Sequence, residues 1–267
     1  MPKKAQDSIW ETIREEAVEA AQHEPMLSSF LHATVLAHKR LEDALSFHLA
    51  GKLESLALPA ITLRELFDDA FANDHTIGVA MRADLNAVRQ RDPACRAFAQ
   101  TLLYFKGFHA IQSYRVAHYY WNHERQPLAL YLQSRISEVF TVDIHPAARI
   151  GKGVLMDHAH GIVIGETAII EDNVSMLHNV TLGGTGKSVG DRHPKIQTGV
   201  MIGAGAKILG NVTVGKGSKI AAGAVVLNDV PPHTAMAGVP AKAVGMVNTA
   251  IPAFEMDQYF HEDGSGL

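Results

Sequence analysis

Two hydrophobic periods divide this chain. From Ser8 to about Phe140 apolar residues recur at helical spacing; Leu41, Leu45 and Leu49 fall four apart, on one face of a helix. Ser8-Ile9-Trp10-Glu11 and Thr62-Leu63-Arg64-Glu65 both fit a capping box, in which the hydroxyl accepts from a free backbone N–H and the glutamate reaches back. They predict helix starts at Ser8 and Thr62. Gly51, Pro59, Asn73, Pro93, Gly107 and Pro127 punctuate this half into several helices.

After Phe140 the period becomes six. Ile144, Ile150, Met156, Ile162, Ala168, Val174 and Val180 form one run, and Ile196, Ile202, Ile208, Val214, Ile220 and Val226 form a second. Period six fits neither a helix nor an alternating strand. It predicts a hexapeptide-repeat β-helix, where each hexapeptide supplies one side of a triangular coil and each inward residue stacks on its counterpart eighteen residues later. The fold class is therefore α+β: an all-α N-terminal domain (1–140), then a left-handed parallel β-helix of hexapeptide repeats (141–245). A tail, 246–267, has little apolar period and is expected to be mobile. Val180 and Ile196 are sixteen residues apart, so the two runs are out of phase. The glycine-rich, charged segment 182–195 must leave the prism between them, and projecting loops on rigid scaffolds tend to carry function.

Composition narrows the setting. Hydrophobic residues make up 47% and charged residues 19% of 267, as in folded soluble domains. A net charge of −4 gives no bulk electrostatic reason to seek nucleic acid or anionic lipid. No window resembles a signal peptide or a membrane span. Cys95 is the single cysteine, which excludes an intrachain disulfide and suits a reducing, cytoplasmic compartment; it reads as a buried thiol rather than a nucleophile.

Within the loop, Gly186-Lys187-Ser188 suggests a P-loop, but Thr181 stands where the motif needs glycine and a β-helix repeat follows instead of a helix. The histidines of the helical half are scattered and read as surface or packing residues. Asp143, Asp157, His158, His160, His178, Arg192 and His193 form the more informative set. His160 and His178 lie eighteen apart and should stack. His158 follows the inward Met156 at a corner and should face out. Asp143 precedes His158 by fifteen residues, close to one coil, so its carboxylate can approach that imidazole. A carboxylate-oriented histidine is a general base suited to activating an alcohol. The alternative is that these polar residues only decorate corners.

The stretches Asp143-Ile144-His145-Pro146, Met156-Asp157-His158-Ala159, Gly165-Glu166-Thr167-Ala168, Leu182-Gly183-Gly184-Thr185-Gly186, Asp191-Arg192-His193-Pro194 and Gly238-Val239-Pro240-Ala241-Lys242, behind a helical half, resemble the serine O-acetyltransferases. The resemblance covers nearly the whole chain. It implies transfer of acetyl from acetyl-CoA to L-serine, the first step from serine to cysteine, with no metal. By resemblance, His158 is the base and Asp143 its partner; Arg192 and His193 take the substrate carboxylate; Asp92 and Asp157 take its ammonium. Gly184, Thr185, Ala204, Lys219, Gly223 and Pro240 would contact acetyl-CoA, with a backbone N–H such as that of Gly184 as oxyanion donor. The family further implies sites between subunits of a trimer, trimers paired into hexamers, inhibition by L-cysteine, and docking of the C-terminal tail into O-acetylserine sulfhydrylase. Here the tail ends in Leu267 rather than isoleucine, and His160 stands where threonine is expected. An acceptor one methylene longer, such as homoserine, differs by only about 1–3 kcal/mol in a pocket, so residues alone leave it open. A zinc-dependent hydratase on the same prism and a non-catalytic scaffold are the other readings.

Overall fold

The computed structural model describes residues 7–186 and 189–259. Eight α-helices come first: α1 (Ser8–His23), α2 (Ser28–Leu31), α3 (Leu41–Leu53), α4 (Ala60–Asn73), α5 (His75–Arg91), α6 (Phe98–Tyr104), α7 (Lys106–Asn122) and α8 (Gln126–Phe140). Leu41, Leu45 and Leu49 are fully buried on one face of α3, as their spacing predicts. The caps differ from expectation. The side chain of Asp7, one residue before Ser8, accepts from the Trp10 N–H, so Ser8 is already helical. Helix α4 begins at Ala60 behind Pro59, which leaves Thr62 inside it. Gly51 lies within α3 and Gly107 within α7, while Pro127 occupies the first turn of α8, where its missing N–H costs nothing.

A parallel β-helix follows. Sheet A stacks β1 (Val142–Ile144), β4 (Ile162–Ile164), β7 (Thr181–Gly183), β10 (Lys207–Leu209) and β13 (Val225–Val226). Sheet B stacks β2 (Arg149–Ile150), β5 (Ile169–Ile170), β8 (Lys195–Ile196) and β11 (Thr213–Val214). Sheet C stacks β3 (Leu155–Met156), β6 (Ser175–Met176), β9 (Met201–Ile202), β12 (Lys219–Ile220) and β14 (Thr234–Ala237), closed by the antiparallel β15 (Lys242–Met246). The chain visits sheets A, B and C in turn. Of the thirteen period-six positions, all are buried except Ile150, which is partly so.

The stacking register corrects the eighteen-residue expectation. Ile164 lies over Ile144, Ile170 over Ile150 and Met176 over Met156, each twenty residues on. Leu182 then lies over Ile164 at eighteen, and Ile208 over Leu182 at twenty-six because the loop intervenes. The two extra residues of the first coil fall at the corner between β3 and β4. The first run therefore switches at Ile162 from one inward column to another two residues earlier. Both columns are apolar, since i and i+2 of a strand share a face, so the period continues unbroken through the slip.

A buried network fastens the halves together. Asp84 of α5 accepts from Arg115 Nη2 of α7 at 2.7 Å, from Gln112 Nε2 at 2.9 Å and from the Val154 N–H at 2.9 Å. Arg115 also donates to the carbonyls of Ile150 and Gly151. Gly107 is needed for the same packing: a Cβ there would lie 2.0 Å from the Met156 carbonyl oxygen. At the far end, residues 238–241 fold over β13, with Val225 N–H donating to Gly238 O and Ala241 N–H to Val225 O. Beyond β15 the described residues include a packed segment: α9 (Pro252–Glu255) buries Pro252 and Ala253, and Ser175 Oγ donates to Ala253 O at 2.9 Å. Leu267 lies outside the described residues.

Candidate active site

The two extra residues of the first coil build a corner with unusual backbone. His158 and Ala159 both have positive φ, +54° and +57°, a conformation L residues adopt at a cost. The outcome is that the His158 side chain projects outward, 78% exposed. Its ring meets His178 edge-on at 6.1 Å between centroids. His160, expected to stack on His178, instead places Nδ1 3.1 Å from Thr141 Oγ1 and 3.2 Å from Lys106 Nζ. The slip explains the exchange of partners.

His158 lines a cavity of about 800 Å³ with Asp157, Asp92, Arg91, Tyr104, Phe105, Lys106 and the α9 segment. Asp92 caps the C-terminus of α5, where a carboxylate faces the negative end of the helix dipole and gains from a nearby cation. Asp157 is held above the usual carboxylate range, first by burial and further by the negative Asp92. Both carboxylates line this cavity without an arginine or lysine ion pair among the described residues, and His158 Nε2 lies 3.9 Å from Asp157 Oδ1. Carboxylates placed in this way can accept hydrogen bonds from an ammonium group beside the imidazole.

Asp143 is not joined to His158 within the chain. It sits on β1 opposite Val163 and accepts from Gln133 Nε2 at 2.7 Å. The fifteen-residue separation misleads because the first coil is twenty long.

A second cluster lies at the corner where the chain leaves sheet A for sheet B. Arg192 Nη2 donates to Glu166 Oε2 at 2.6 Å, which holds Glu166 below the usual carboxylate range. The backbone N–H groups of Arg192 and His193 donate to Thr167 Oγ1, both at 3.0 Å. The Thr167 N–H donates to His193 Nδ1 at 3.1 Å. A backbone N–H can only donate, so Nδ1 carries a lone pair and the proton sits on Nε2. Burial lowers the pKa of this ring and favours that neutral form. Nε2 points into space kept clear by two glycines: a Cβ at Gly165 would fall 2.1 Å from Nε2, and one at Gly184 3.5 Å from it. His193 is thus a fixed, neutral hydrogen-bond donor beside a guanidinium. Glu166 and Thr167, which set this geometry, were visible only as parts of a motif.

Neither Arg192 nor His193 lines the His158 cavity. The two clusters occupy the two edges of sheet A, separated by one prism face, about 20 Å at most for six residues at 3.3 Å rise. The proposed cofactor contacts divide in the same way. Gly205 N–H donates to His178 O and Gly223 N–H to Ala204 O, so His178, Ala204 and Gly223 climb one edge, the His158 edge. Gly184 and Thr185 lie on the other, with Thr185 Cγ2 3.3 Å from where a Gly210 Cβ would be. Pro240 follows a cis peptide in the turn over β13. Lys219 lies apart from both edges: it is 3% exposed on the outer face of sheet C, donating to Tyr259 O at 2.7 Å beneath the C-terminal segment. Among the described residues, no three His, Cys, Asp or Glu side chains converge as metal ligands.

Known proteins carry the same framework. The family model described as Serine acetyltransferase, N-terminal, matches residues 9–113, and the bacterial transferase hexapeptide model matches 193–228. The serine acetyltransferase of Haemophilus influenzae is 57% identical over 261 residues, 97% of this chain and 98% of that protein. The chain belongs to the serine acetyltransferase family. Solved structures agree over nearly their full length. A serine acetyltransferase complex with cysteine is 57% identical (TM-score 0.93, 95% of this chain and 98% of that one). The Brucella abortus enzyme in complex with coenzyme A is 53% identical (TM-score 0.90, 91% and 97%). The soybean enzyme complexed with serine is 56% identical (TM-score 0.89, 91% and 100%). The helical half and hexapeptide half expected from the sequence are thus the family's architecture.

Proposed function

We propose that this chain transfers acetyl from acetyl-CoA to the L-serine hydroxyl, at a site completed by two chains. The observation that carries this is the pairing of complementary half-sites: an ammonium receptor with an imidazole on one edge of sheet A, and a carboxylate receptor on the other. Serine carries both charges within a few ångströms of its hydroxyl, so one molecule needs both half-sites together. A trimer of parallel prisms supplies them by setting one chain's His158 edge against its neighbour's Arg192 edge. Complexes of relatives with serine and with coenzyme A support the pair of substrates.

In this reading Asp92 and Asp157 hold the ammonium, and Arg192 with the Nε2–H of His193 holds the carboxylate. His158 takes the proton from the serine hydroxyl as its oxygen bonds to the thioester carbonyl carbon. The Gly184 N–H donates to the oxyanion. Collapse breaks the C–S bond, and the imidazolium returns its proton to the departing thiolate, giving O-acetylserine and CoA. Asp143 orients His158 across the subunit boundary, where the exposed imidazole is free to meet it. Acetyl-CoA lies along the edge of His178, Ala204 and Gly223 toward Pro240, with Thr185 from the neighbour. L-Cysteine, matching serine in both charges, competes for this pocket, as a relative's complex with cysteine supports. Pairing of trimers through the helical halves, and docking of the C-terminal tail into O-acetylserine sulfhydrylase, belong to the same proposal. The lone buried Cys95 suits a cytoplasmic setting. Thiol release from acetyl-CoA with L-serine, L-homoserine or no acceptor tests the reading. Serine-dependent release should fall at least about 100-fold in His158→Ala, the low end for a general base. Release with homoserine alone would overturn the acceptor, and full activity of His158→Ala would overturn the base.

A further inference from the structure

His48 and His109 belong to no part of that mechanism, yet both are buried, 7% and 1% exposed, in a helical half whose other buried side chains are mostly apolar. Their rings meet edge-on at 5.1 Å. His109 Nε2 lies 2.8 Å from Leu102 O, and His48 Nε2 lies 3.1 Å from Leu103 O. A carbonyl only accepts, so both rings carry the proton on Nε2 and donate.

Those two carbonyls are the significant acceptors. They sit in the last turn of α6, where four carbonyls have no partner within the helix. Phe105 N–H still reaches Thr101 O, but α7 starts afresh at Lys106, so Leu102 O and Leu103 O depend on the histidines. The corner they fasten enters the active site directly. Tyr104, Phe105, Lys106 and Gly107 line the cavity of Asp92, Asp157 and His158. Phe105 packs against the buried cluster of Val88, Cys95 and Leu155 behind it. Gly107 lies against the Met156 carbonyl, the residue before Asp157. Lys106 Nζ bonds Thr141 Oγ1 and His160 at the rim.

We infer that His48 and His109 are positioning residues for the serine subsite: by capping α6 they hold the Tyr104–Gly107 corner against Met156, and so set Asp157 and His158 opposite Asp92. The inference rests on the assignment of that cavity to serine. Loss of a cap lets the corner withdraw, which weakens serine binding while leaving the acetyl-CoA edge, built from later coils, in place.

The test compares the full-length enzyme with His109→Leu, His109→Gln and His109→Asn in the thiol-release assay, alongside Leu45→Ala, a core truncation on the same α3 that carries His48. Glutamine places an amide N–H near the position of Nε2; asparagine is too short to reach Leu102 O. The serine KM should rise about tenfold in His109→Leu and His109→Asn, the worth of one hydrogen bond, with the acetyl-CoA KM within about twofold of wild type. His109→Gln should restore the serine KM. An unchanged serine KM in the leucine and asparagine variants would overturn the inference. So would an equal rise in Leu45→Ala, which would mark the effect as general loosening. If His109→Leu does not fold, the contrast between glutamine and asparagine decides alone. His158→Ala in the same assay keeps the two readings apart: its retained turnover would remove the cavity assignment, whereas its loss beside a normal His109→Asn removes only the positioning role.

Discussion

Gly165→Ala isolates the carboxylate half-site with one methyl group. Gly165 lies outside the positive-φ region, so alanine meets no backbone penalty; the effect is purely one of space. Its Cβ would lie 2.1 Å from both Cδ2 and Nε2 of His193. Ordinary contact begins near 3.4 Å, so the ring must retreat by about 1.3 Å. That movement pulls Nδ1 away from the Thr167 N–H and hydroxyl, now at 3.1 and 3.0 Å, and turns the Nε2–H out of the gap beside Gly184. A hydrogen bond to a charged partner is worth about 1.5–3 kcal/mol. Losing it should lower kcat/KM for serine about 10- to 150-fold, at 1.4 kcal/mol per factor of ten. Because a carboxylate is present in both ground and transition states, most of the loss should appear in the serine KM, with the acetyl-CoA KM unchanged. Steady-state thiol release against serine concentration measures it. Gly51→Ala, whose Cβ would meet nothing within 4 Å, is the neutral control. A serine KM within about twofold of wild type in folded Gly165→Ala would refute the assignment of His193 to the carboxylate, since one hydrogen bond moves KM further than that.

Two pH dependences follow from named groups. Burial lowers His48 to about 4 and His109 to about 3, against about 6.5 in an unfolded chain. Between those values the unfolded state binds more protons, so stability is full above pH 6.5 and falls as pH drops toward 4. At pH 5 the loss is roughly 2 kcal/mol per histidine, and urea midpoints at pH 7.5 and 5 should differ accordingly. The gap should narrow by that contribution in the His48→Gln, His109→Gln double variant, while His38, His118, His145 and His193, also lowered by burial, keep the remainder. Asp157 has a raised pKa and must be ionised to hold an ammonium. Its serine affinity should therefore begin to fall at a pH above the ordinary carboxylate value of about 4, about tenfold per unit, over a range where circular dichroism is unchanged; in Asp157→Asn that limb should vanish.

The architecture was legible because its cause is repetitive. Each coil must bury the same columns of Ile, Val and Leu, so period six is written thirteen times in the chain. The slip at the first coil was not legible for the same reason. Ile162, Ala168, Val174 and Val180 also point inward, so a twenty-residue coil keeps an apolar residue at every sixth position. That slip moved His158 onto His178 and removed Asp143 from His158, which spacing alone had set together. Arg192 and His193 were found by motif, but the glycine and threonine that shape them act through space across twenty-five or more residues. The placement of the His158 and Arg192 clusters on two edges of sheet A follows from prism geometry, which no local pattern encodes. The helix caps failed because Asp7 and Pro59 compete for the same turns as Ser8 and Thr62.

The far end of the prism has one more consequence. A stack of parallel coils ends in three rows of unpaired backbone groups, a surface on which any further strand could add. Here each row is closed by a different device: the antiparallel β15 on sheet C, the turn 238–241 across β13, and the single bridge from Val230 to Val214 on sheet B. The segment Gly238-Val239-Pro240-Ala241-Lys242 thereby acts as a chain terminator for the solenoid. Together with β15 and the Val230 bridge it ends the run of parallel coils at five, so the last coil presents a turn and an antiparallel strand where a sixth parallel coil would otherwise stack.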